Sequence, residues 1–233
     1  MRIDKMLSQL KYGSRQDIKK MAKKGYIKLN QSIVYDVSMH IDPEVDVLSV
    51  KDEQVIYIKQ FILKLYKPIG YVSSSQDSNY PSLFDLIDMP YQRYPLKIAG
   101  RLDVDTEGLV LITNDGNLQH EITHPKKHLE KHYEATLDKP FLHNATLLKG
   151  ITIKDGNNQP FIAKALSLQS EGNYVKITID EGKFHQIKRM FQALDYKVTH
   201  LKRTQIGTIS LDLLKPGEYQ EVSLKEYHDR YHY

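Results

Sequence analysis

The chain has 233 residues, of which 40% are hydrophobic and 27% charged, and this composition is typical of a folded protein with one large domain or two smaller ones. It has no cysteine, which excludes disulfides, thiolate metal sites and a cysteine nucleophile. No apolar run reaches the roughly 18 residues of a membrane span, and the first residues alternate in polarity. We therefore expect a cytoplasmic protein without a membrane segment or a signal peptide.

Positive charge is concentrated in the first thirty residues, where nine Lys or Arg residues stand against two Asp residues. Residues 31–60 have the opposite balance, with two Lys residues and six acidic residues. A division of this kind is typical of a module that presents one face to a polyanion.

Two helices are predicted at the start of the chain. Apolar residues recur at helical spacing over residues 3–10, and Gly13 is placed to end that helix. Ser14, with Asp17 three positions later, is typical of a capping box that begins a second helix, which Gly25 ends.

A small sheet is predicted after the two helices. Its three short strands are expected over residues 26–29, 33–37 and 45–50, with a turn at residues 30–31 between the first two. The order is then helix, helix, sheet. The lysines of the second helix point away from its apolar stripe, which could mean either a solvated face or a surface that binds RNA.

This N-terminal region resembles the S4 RNA-binding domain. Three segments match the domain's pattern in order: Arg2-Ile3-Asp4-Lys5, Gly13-Ser14-Arg15 and Lys24-Gly25-Tyr26-Ile27-Lys28-Leu29-Asn30. The resemblance implies that the basic residues of the region contact RNA: Arg2, Lys5, Arg15, Lys19, Lys20, Lys23 and Lys24.

The rest of the chain mixes strand and helix patterns without a regular alternation. Strands are predicted over residues 62–66, 71–75, 109–112, 133–137 and 174–179. Short helices are predicted over residues 83–87 and 182–194. This order favours an α+β fold with a largely antiparallel sheet. We expect two domains, with an S4-like module at residues 1–57 and a larger domain at residues 61–233.

One short motif points to metal chemistry. His120-Glu121-Ile122-Thr123-His124 matches the HExxH signature of zinc peptidases, in which two histidines on one helical turn bind the metal. Pro125 follows directly and disfavours a helix at His124, and the third histidine of the longer signature is absent. We therefore expect no metal site. A zinc peptidase is kept only as a hypothesis ranked below the two that follow.

A longer pattern resembles the pseudouridine synthases of the small-subunit ribosomal RNA type, a family that carries an N-terminal S4 domain. The seventeen residues 100–116, from Gly100-Arg101-Leu102-Asp103 to Asn114-Asp115-Gly116, match the family's signature. Further motifs follow the family's order at residues 67–70, 130–133, 181–191 and 216–219. The resemblance covers nearly the whole chain.

The resemblance assigns roles to individual residues. Asp103 is the expected catalytic carboxylate, Tyr133 the active-site tyrosine and Lys188 the cation that keeps the carboxylate ionised. Four more residues are expected to bind the flipped nucleotide: Arg101, Ile187, Lys67 and His185. Lys183 and Arg189 are expected to bind RNA phosphates beside the pocket.

The expected activity is isomerisation of a uridine to pseudouridine in 16S ribosomal RNA, or in an assembling ribosomal particle, by a monomer without a cofactor. The base must leave its stack, so unpaired or weakly paired RNA is the expected substrate. Two alternatives remain open at this point. The chain could act on 23S ribosomal RNA, or it could be an S4-type protein that binds RNA without catalysis.

Overall fold

The computed structural model describes residues 1–75, 79–124, 127–225 and 227. The chain divides into two compact units, one of Met1–Gln60 with Ile87–Leu96 and the other of Phe61–Leu86 with Lys97–Tyr233. The predicted domain boundary between residues 57 and 61 stays a prediction. Among the described residues no helix is long and apolar enough to cross a membrane.

Two helices open the smaller unit, α1 at Ile3–Gln9 and α2 at Arg15–Lys23. The capping box at the start of α2 is confirmed, because the Ser14 side chain accepts from the Asp17 amide and the Asp17 carboxylate accepts from the Ser14 amide. The predicted end of α1 at Gly13 is wrong. The helix ends before Lys11, which itself takes the left-handed conformation with φ 57°.

A four-stranded antiparallel sheet completes this unit, in the order β2-β1-β3-β4. Its strands are β1 (Ile27–Leu29), β2 (Ser32–Ile33), β3 (Leu48–Val50) and β4 (Glu53–Gln54). The turn between β1 and β2 has positive φ at both Asn30 and Gln31, as two-residue hairpins require. The second and third strands are shorter than predicted, and Val45 is 76% exposed outside β3.

The larger unit is built on a mostly antiparallel sheet with the path β11-β12-β8-β13-β7-β5-β15. The unit's strands are β5 (Ile62–Lys67), β6 (Lys97–Ala99), β7 (Glu107–Thr113), β8 (Lys131–Leu137), β9 (Ile151–Lys154), β10 (Pro160–Ala163), β11 (Ser167–Glu171), β12 (Tyr174–Ile179), β13 (Val198–Ile206), β14 (Ile209–Ser210) and β15 (Tyr219–Val222). Its α-helices are α3 (Gly116–Thr123), α4 (Asn144–Lys149) and α5 (Gln186–Gln192). The predicted α+β class is confirmed.

Most predicted elements of this unit are present, but two differ. The strand expected over residues 71–75 is wrong, since that segment forms only an isolated bridge between Val72 and Ser82. The helix expected from residue 182 begins at Gln186 as α5. The central strands β5 and β7 are buried, and the continuous apolar run of β7 is typical of a strand covered on both faces.

Strands β7 and β13 approach each other closely at one point. These two strands pair in parallel, and Gly108 stands beside Arg203. Gly108 has φ 116°, and a Cβ on it would lie 2.2 Å from the Arg203 carbonyl oxygen. Only glycine fits there, so the end of the loop between β6 and β7 is held against β13.

Candidate active site

A cavity of about 470 Å³ opens in the larger unit, a volume typical of small-ligand sites. Its walls come from the loop between β6 and β7, the start of β8, the segment from the end of β12 into α5, and β13. Six of the seven residues predicted to act in catalysis or to bind the nucleotide line it: Arg101, Asp103, Tyr133, His185, Ile187 and Lys188. Lys183, which was predicted to bind RNA phosphates, lines it as well, and the side chain of Ile187 is buried.

Asp103 lies in the loop between β6 and β7. Its carboxylate is held by two groups from the segment that enters α5. Oδ2 lies 3.2 Å from Lys188 Nζ, and Oδ1 lies 3.2 Å from His185 Nε2. The side chain keeps 29% of its surface exposed, so the carboxylate is fixed in place and still open to the cavity.

Lys188 serves two carboxylates. Besides Asp103 it binds Asp105, whose Oδ1 lies 2.6 Å from Lys188 Nζ. Burial by itself would raise the pKa of Asp105, but the hydrogen bond and the charge of Lys188 outweigh burial and hold the pKa below its usual value. Lys188 thus forms ion pairs with two carboxylates of the same turn. Asp103 faces the cavity, whereas Asp105 is 65% exposed.

His185 reaches Asp103 because of an unusual backbone conformation. It is the residue before α5 and has φ 51°, in the left-handed region. Its ring stacks on Phe184 with centroids 3.7 Å apart and an angle of 21° between the planes. The stack holds the imidazole at the cavity wall, a placement that sequence pattern alone did not provide.

Arg203 was missed as a site residue by the sequence analysis. It is 2% exposed on β13, and its guanidinium donates to main-chain oxygens at the start of the loop between β6 and β7 and on β7 itself. The acceptors are the carbonyls of Leu109 at 2.8 Å, Arg101 at 3.5 Å and Gly100. Because Arg203 shares a strand face with buried Leu201, the alternation of β13 was the signal that it points inward.

Tyr133 is placed by the same arginine. It lies on β8, directly opposite Arg203 in the antiparallel pair, and its hydroxyl accepts from Arg203 Nη1 at 3.3 Å. The tyrosine is 8% exposed and its surface lines the cavity. One buried cation therefore sets the position of the aromatic wall and of the loop that carries Asp103.

Lys67 was predicted to bind the nucleotide, but it does not line the cavity. It is fully buried, and its Nζ donates to the carbonyls of Pro68 at 2.8 Å and Thr106 at 2.7 Å. Burial lowers the pKa of Lys67 to about 8, although the carboxylates of the loop oppose that shift. This placement supports a role in holding the loop rather than in touching a ligand.

Thr106 and Arg101 each place a polar group at the cavity wall. The Thr106 hydroxyl oxygen is buried and has no hydrogen-bond partner within the described ranges. Arg101 is exposed at the wall, and its main-chain carbonyl accepts from Arg203. Unsatisfied buried polar atoms are uncommon, which makes Thr106 a candidate for contact with a bound molecule.

The basic residues predicted to bind RNA fall into two groups. Most of those in the smaller unit are exposed along α2 and beside it: Lys5, Arg15, Lys19, Lys20, Lys23 and Lys24. Arg2 differs, because its guanidinium forms two hydrogen bonds with the buried carboxylate of Asp4. This ion pair supports a structural role for Arg2.

The two basic residues beside the cavity also have local partners. Lys183 Nζ lies 3.6 Å from the centroid of the Phe161 ring. Arg189 Nη1 donates to the carbonyls of Lys154 and Asp155, both at 2.6 Å. These contacts hold the hairpin of β9 and β10 next to α5, and Lys183 remains exposed.

The HExxH segment does not form the helix that its metal chemistry requires. Helix α3 ends at Thr123, and His124 has an extended backbone with ψ 123°. Pro125 lies outside the described residues. Within the part of the chain that is described, no group of three His, Cys, Asp or Glu residues could hold a metal ion.

The geometry defines what this cavity can do. An anionic carboxylate sits between an ammonium and an imidazole, next to one aromatic and one aliphatic wall. Flat rings pack well against such walls, and a carboxylate held in this way can act as a nucleophile or as a base. The cavity fits a reaction on a planar base attached to a sugar.

Comparison with known proteins agrees with this geometry. The RNA pseudouridylate synthase family matches residues 62–193, and the S4 domain matches residues 1–47. An uncharacterized RNA pseudouridine synthase of Bacillus subtilis is 38% identical over 98% of this chain and 97% of its own. The ribosomal small subunit pseudouridine synthase A of Haemophilus influenzae is 39% identical over 97% of both chains. A crystal structure of a pseudouridylate synthase, 38% identical, superposes with a TM-score of 0.65 over 97% of both chains.

Proposed function

The chain belongs to the RNA pseudouridylate synthase family, with an S4 domain at its N-terminus, and from this premise we propose that it converts one uridine of 16S ribosomal RNA to pseudouridine. The substrate is proposed from the names of relatives such as the small-subunit enzyme of Haemophilus influenzae. Isomerisation adds no group and changes no oxidation state, so the proposal includes no cofactor. In this proposal the protein acts as a monomer in the cytoplasm.

The observation that carries the proposal is the Asp103 carboxylate, which faces the cavity between Lys188 Nζ and His185 Nε2, each 3.2 Å away. In the reaction the N1–C1′ bond of uridine breaks, the uracil turns over and C5 bonds to C1′. Asp103 acts on the sugar, either by attack on C1′ or by removal of a sugar proton. Lys188 and His185 hold the carboxylate in place at the cavity wall.

The flipped uracil occupies the space between the aromatic and aliphatic walls. In this arrangement Tyr133 stacks on the base, with its hydroxyl fixed by Arg203, and Ile187 covers the base from another side. Arg101 reaches the nucleotide from the rim. Flipping costs a few kcal/mol, which stacking and phosphate contacts offset, so a weakly paired uridine is the preferred target.

RNA is held by both proposed domains. Residues 1–57 form an S4 module whose exposed lysines on α2 bind phosphates, and residues 61–233 form the catalytic domain. Lys183 adds charge beside the cavity. The substrate can be the free RNA or an assembling particle, since both present single-stranded segments.

The test is a map of pseudouridine in ribosomal RNA from cells with and without the protein. One 16S position should lose its modification in the deletion strain and regain it when the wild-type gene returns, but not when the gene encodes Asp103→Asn. A lost position in 23S RNA would redirect the substrate to the large subunit. An unchanged map would favour an S4-type protein that binds RNA without catalysis.

A further inference from the structure

One lysine of the cavity wall has no role in the chemistry described so far. Lys131 is the first residue of β8, two positions before Tyr133, and it lines the cavity. Its Nζ donates to the carbonyl oxygens of Leu129 at 2.8 Å and Asp180 at 3.3 Å. An ammonium has three donors, and within the described residues the third finds neither a hydrogen-bond partner nor an ion pair.

Comparison with Lys67 shows why the position of Lys131 is informative. Both ammonium groups are held by two main-chain carbonyls, but Lys67 is fully buried below the loop, whereas Lys131 is only partly buried and forms part of the cavity surface. A lysine that only binds main-chain carbonyls can be fully buried, as Lys67 is. The two carbonyls fix the ammonium, and its third donor is left for a ligand.

The reaction produces an acceptor for that donor. When the N1–C1′ bond of uridine breaks, its electron pair leaves with the uracil, whether the sugar is attacked at C1′ or loses a proton. The detached ring is then an anion, and its charge is shared with the carbonyl oxygens O2 and O4. The charge disappears when C5 bonds to C1′, and the C5 proton is then removed while N1 takes up a proton.

We propose that Lys131 is a catalytic residue that hydrogen-bonds a carbonyl oxygen of the flipped uracil and stabilises the negative charge of the detached ring. The inference rests on the proposed function and adds a partner for the leaving base, as Asp103 is the partner of the sugar. A fixed donor at the place where charge develops commonly accelerates a reaction 10² to 10³-fold. Lys131 is built in this way, with its main-chain acceptors already in place.

The surroundings of Lys131 lower the pKa of its ammonium group. Burial and the charge of Arg203 lower the pKa of Lys131 to about 8, while the acidic side chains of Asp180 and Glu181 oppose the shift. The folded enzyme therefore holds this proton below pH ~8 and loses it above. The rate of base detachment should fall through the same pH range.

The experiment compares single-turnover rates and RNA affinities of the full-length wild type with three variants. Lys131→Met removes the donor at similar volume, and Lys131→Arg keeps a charge that does not titrate. Lys176→Met is the matched control, because Lys176 is an exposed lysine on the neighbouring strand β12 and does not line the cavity. Circular dichroism and thermal melting check that each variant folds.

Lys131→Met should slow turnover 10² to 10³-fold with RNA affinity within threefold, and Lys176→Met should stay within twofold of the wild type. Lys131→Arg should keep at least a tenth of the rate and lose the decline above pH ~8. Turnover by a folded Lys131→Met at the wild-type rate would overturn the inference. If that variant does not fold, Lys131→Arg decides, since an unchanged alkaline decline assigns the titration to another group such as Lys67. An inactive wild type would instead refute the proposed function.

Discussion

The exposed face of α2 and the cavity of the larger unit use positive charge in opposite ways. The lysines of α2 and its C-cap, Lys19, Lys20, Lys23 and Lys24, are all exposed, and Lys20 Nζ lies 3.7 Å from a carboxylate oxygen of Asp17. At the cavity, Lys188 and Arg203 each hold two or more oxygens in fixed positions. Exposed charges bind a polyanion without specifying geometry, whereas partly buried charges specify geometry at a high desolvation cost.

This difference implies that affinity and chemistry depend on separate residues. Removal of an exposed lysine should weaken RNA binding and leave the rate of isomerisation unchanged once RNA is bound. Substitutions at the cavity should lower the rate of isomerisation and leave RNA binding nearly unchanged. The predictions that follow test this separation from the largest expected effect to the smallest.

Asp103→Asn should lower single-turnover isomerisation at least 10³-fold, because the amide can neither attack the sugar nor accept its proton. RNA affinity should stay within a few-fold, measured by filter binding. Asp105→Asn is the matched control, since Asp105 contacts the same Lys188 but does not line the cavity. It should cost less than tenfold, and equal losses for the two variants would contradict the assignment of Asp103.

Arg203→Lys should slow isomerisation about 10 to 100-fold and lower the free energy of unfolding by ~1–3 kcal/mol. Lysine keeps the charge but cannot reach the carbonyls of Gly100 and Leu109 and the Tyr133 hydroxyl together. Urea denaturation and single-turnover rates provide the two measurements. Lys202→Arg, on the opposite face of β13, is the control and should change neither by much.

Replacement of Lys19, Lys20, Lys23 and Lys24 by glutamine should weaken RNA binding and reduce its dependence on salt. If all four contact phosphates of single-stranded RNA, the slope of log K against log salt should fall by up to about 3. The matched variant with four arginines keeps the charge and should keep the slope. A full salt dependence in the glutamine variant would mean that this face is solvated and does not bind RNA.

Lys67→Met should change the pH dependence of stability more than the reaction. The pKa of Lys67 is about 8 in the folded chain and about 10.4 when unfolded, so the unfolded chain holds more protons between these values. Stability from this group therefore rises with pH over that range, by about 2 kcal/mol between pH ~7.5 and ~9.5. Urea denaturation should show that rise in the wild type relative to Lys67→Met, and parallel curves would contradict the burial of a titrating Lys67.

Elements with a strong local signal were predicted correctly. The capping box fixed the start of α2, and the apolar run over residues 109–112 located β7. The predicted strand that failed depends on a pairing partner. Residues 71–75 have a strand-like composition, but the chain offers them only one bridge, between Val72 and Ser82. Strand propensity without a neighbouring strand to bond does not produce a strand.

The proposed site was predictable because its residues occur in motifs that can be read from the sequence. Asp103, Tyr133, His185 and Lys188 all line one cavity, as the resemblance implied. The places of Arg203 and Lys131 at the site were not predicted, although Arg203 follows the inward alternation of β13. What these two residues can do depends on the main-chain carbonyls around them, and some of those, such as Leu109 beside Arg203 and Asp180 beside Lys131, lie far away along the chain.

By itself the amino-acid sequence determined the class of fold, the basic N-terminal helix and the place of Asp103 shortly before the buried strand β7, because periodicity, caps and motifs act over short distances. Only the tertiary structure decided which oxygens the buried cations bind. It placed Lys67 against the carbonyl of Thr106 and Arg203 beside the Tyr133 hydroxyl, and it left a donor of Lys131 open to the cavity. These contacts join segments that are far apart along the chain, so the local alternation that points Arg203 inward does not specify its partners.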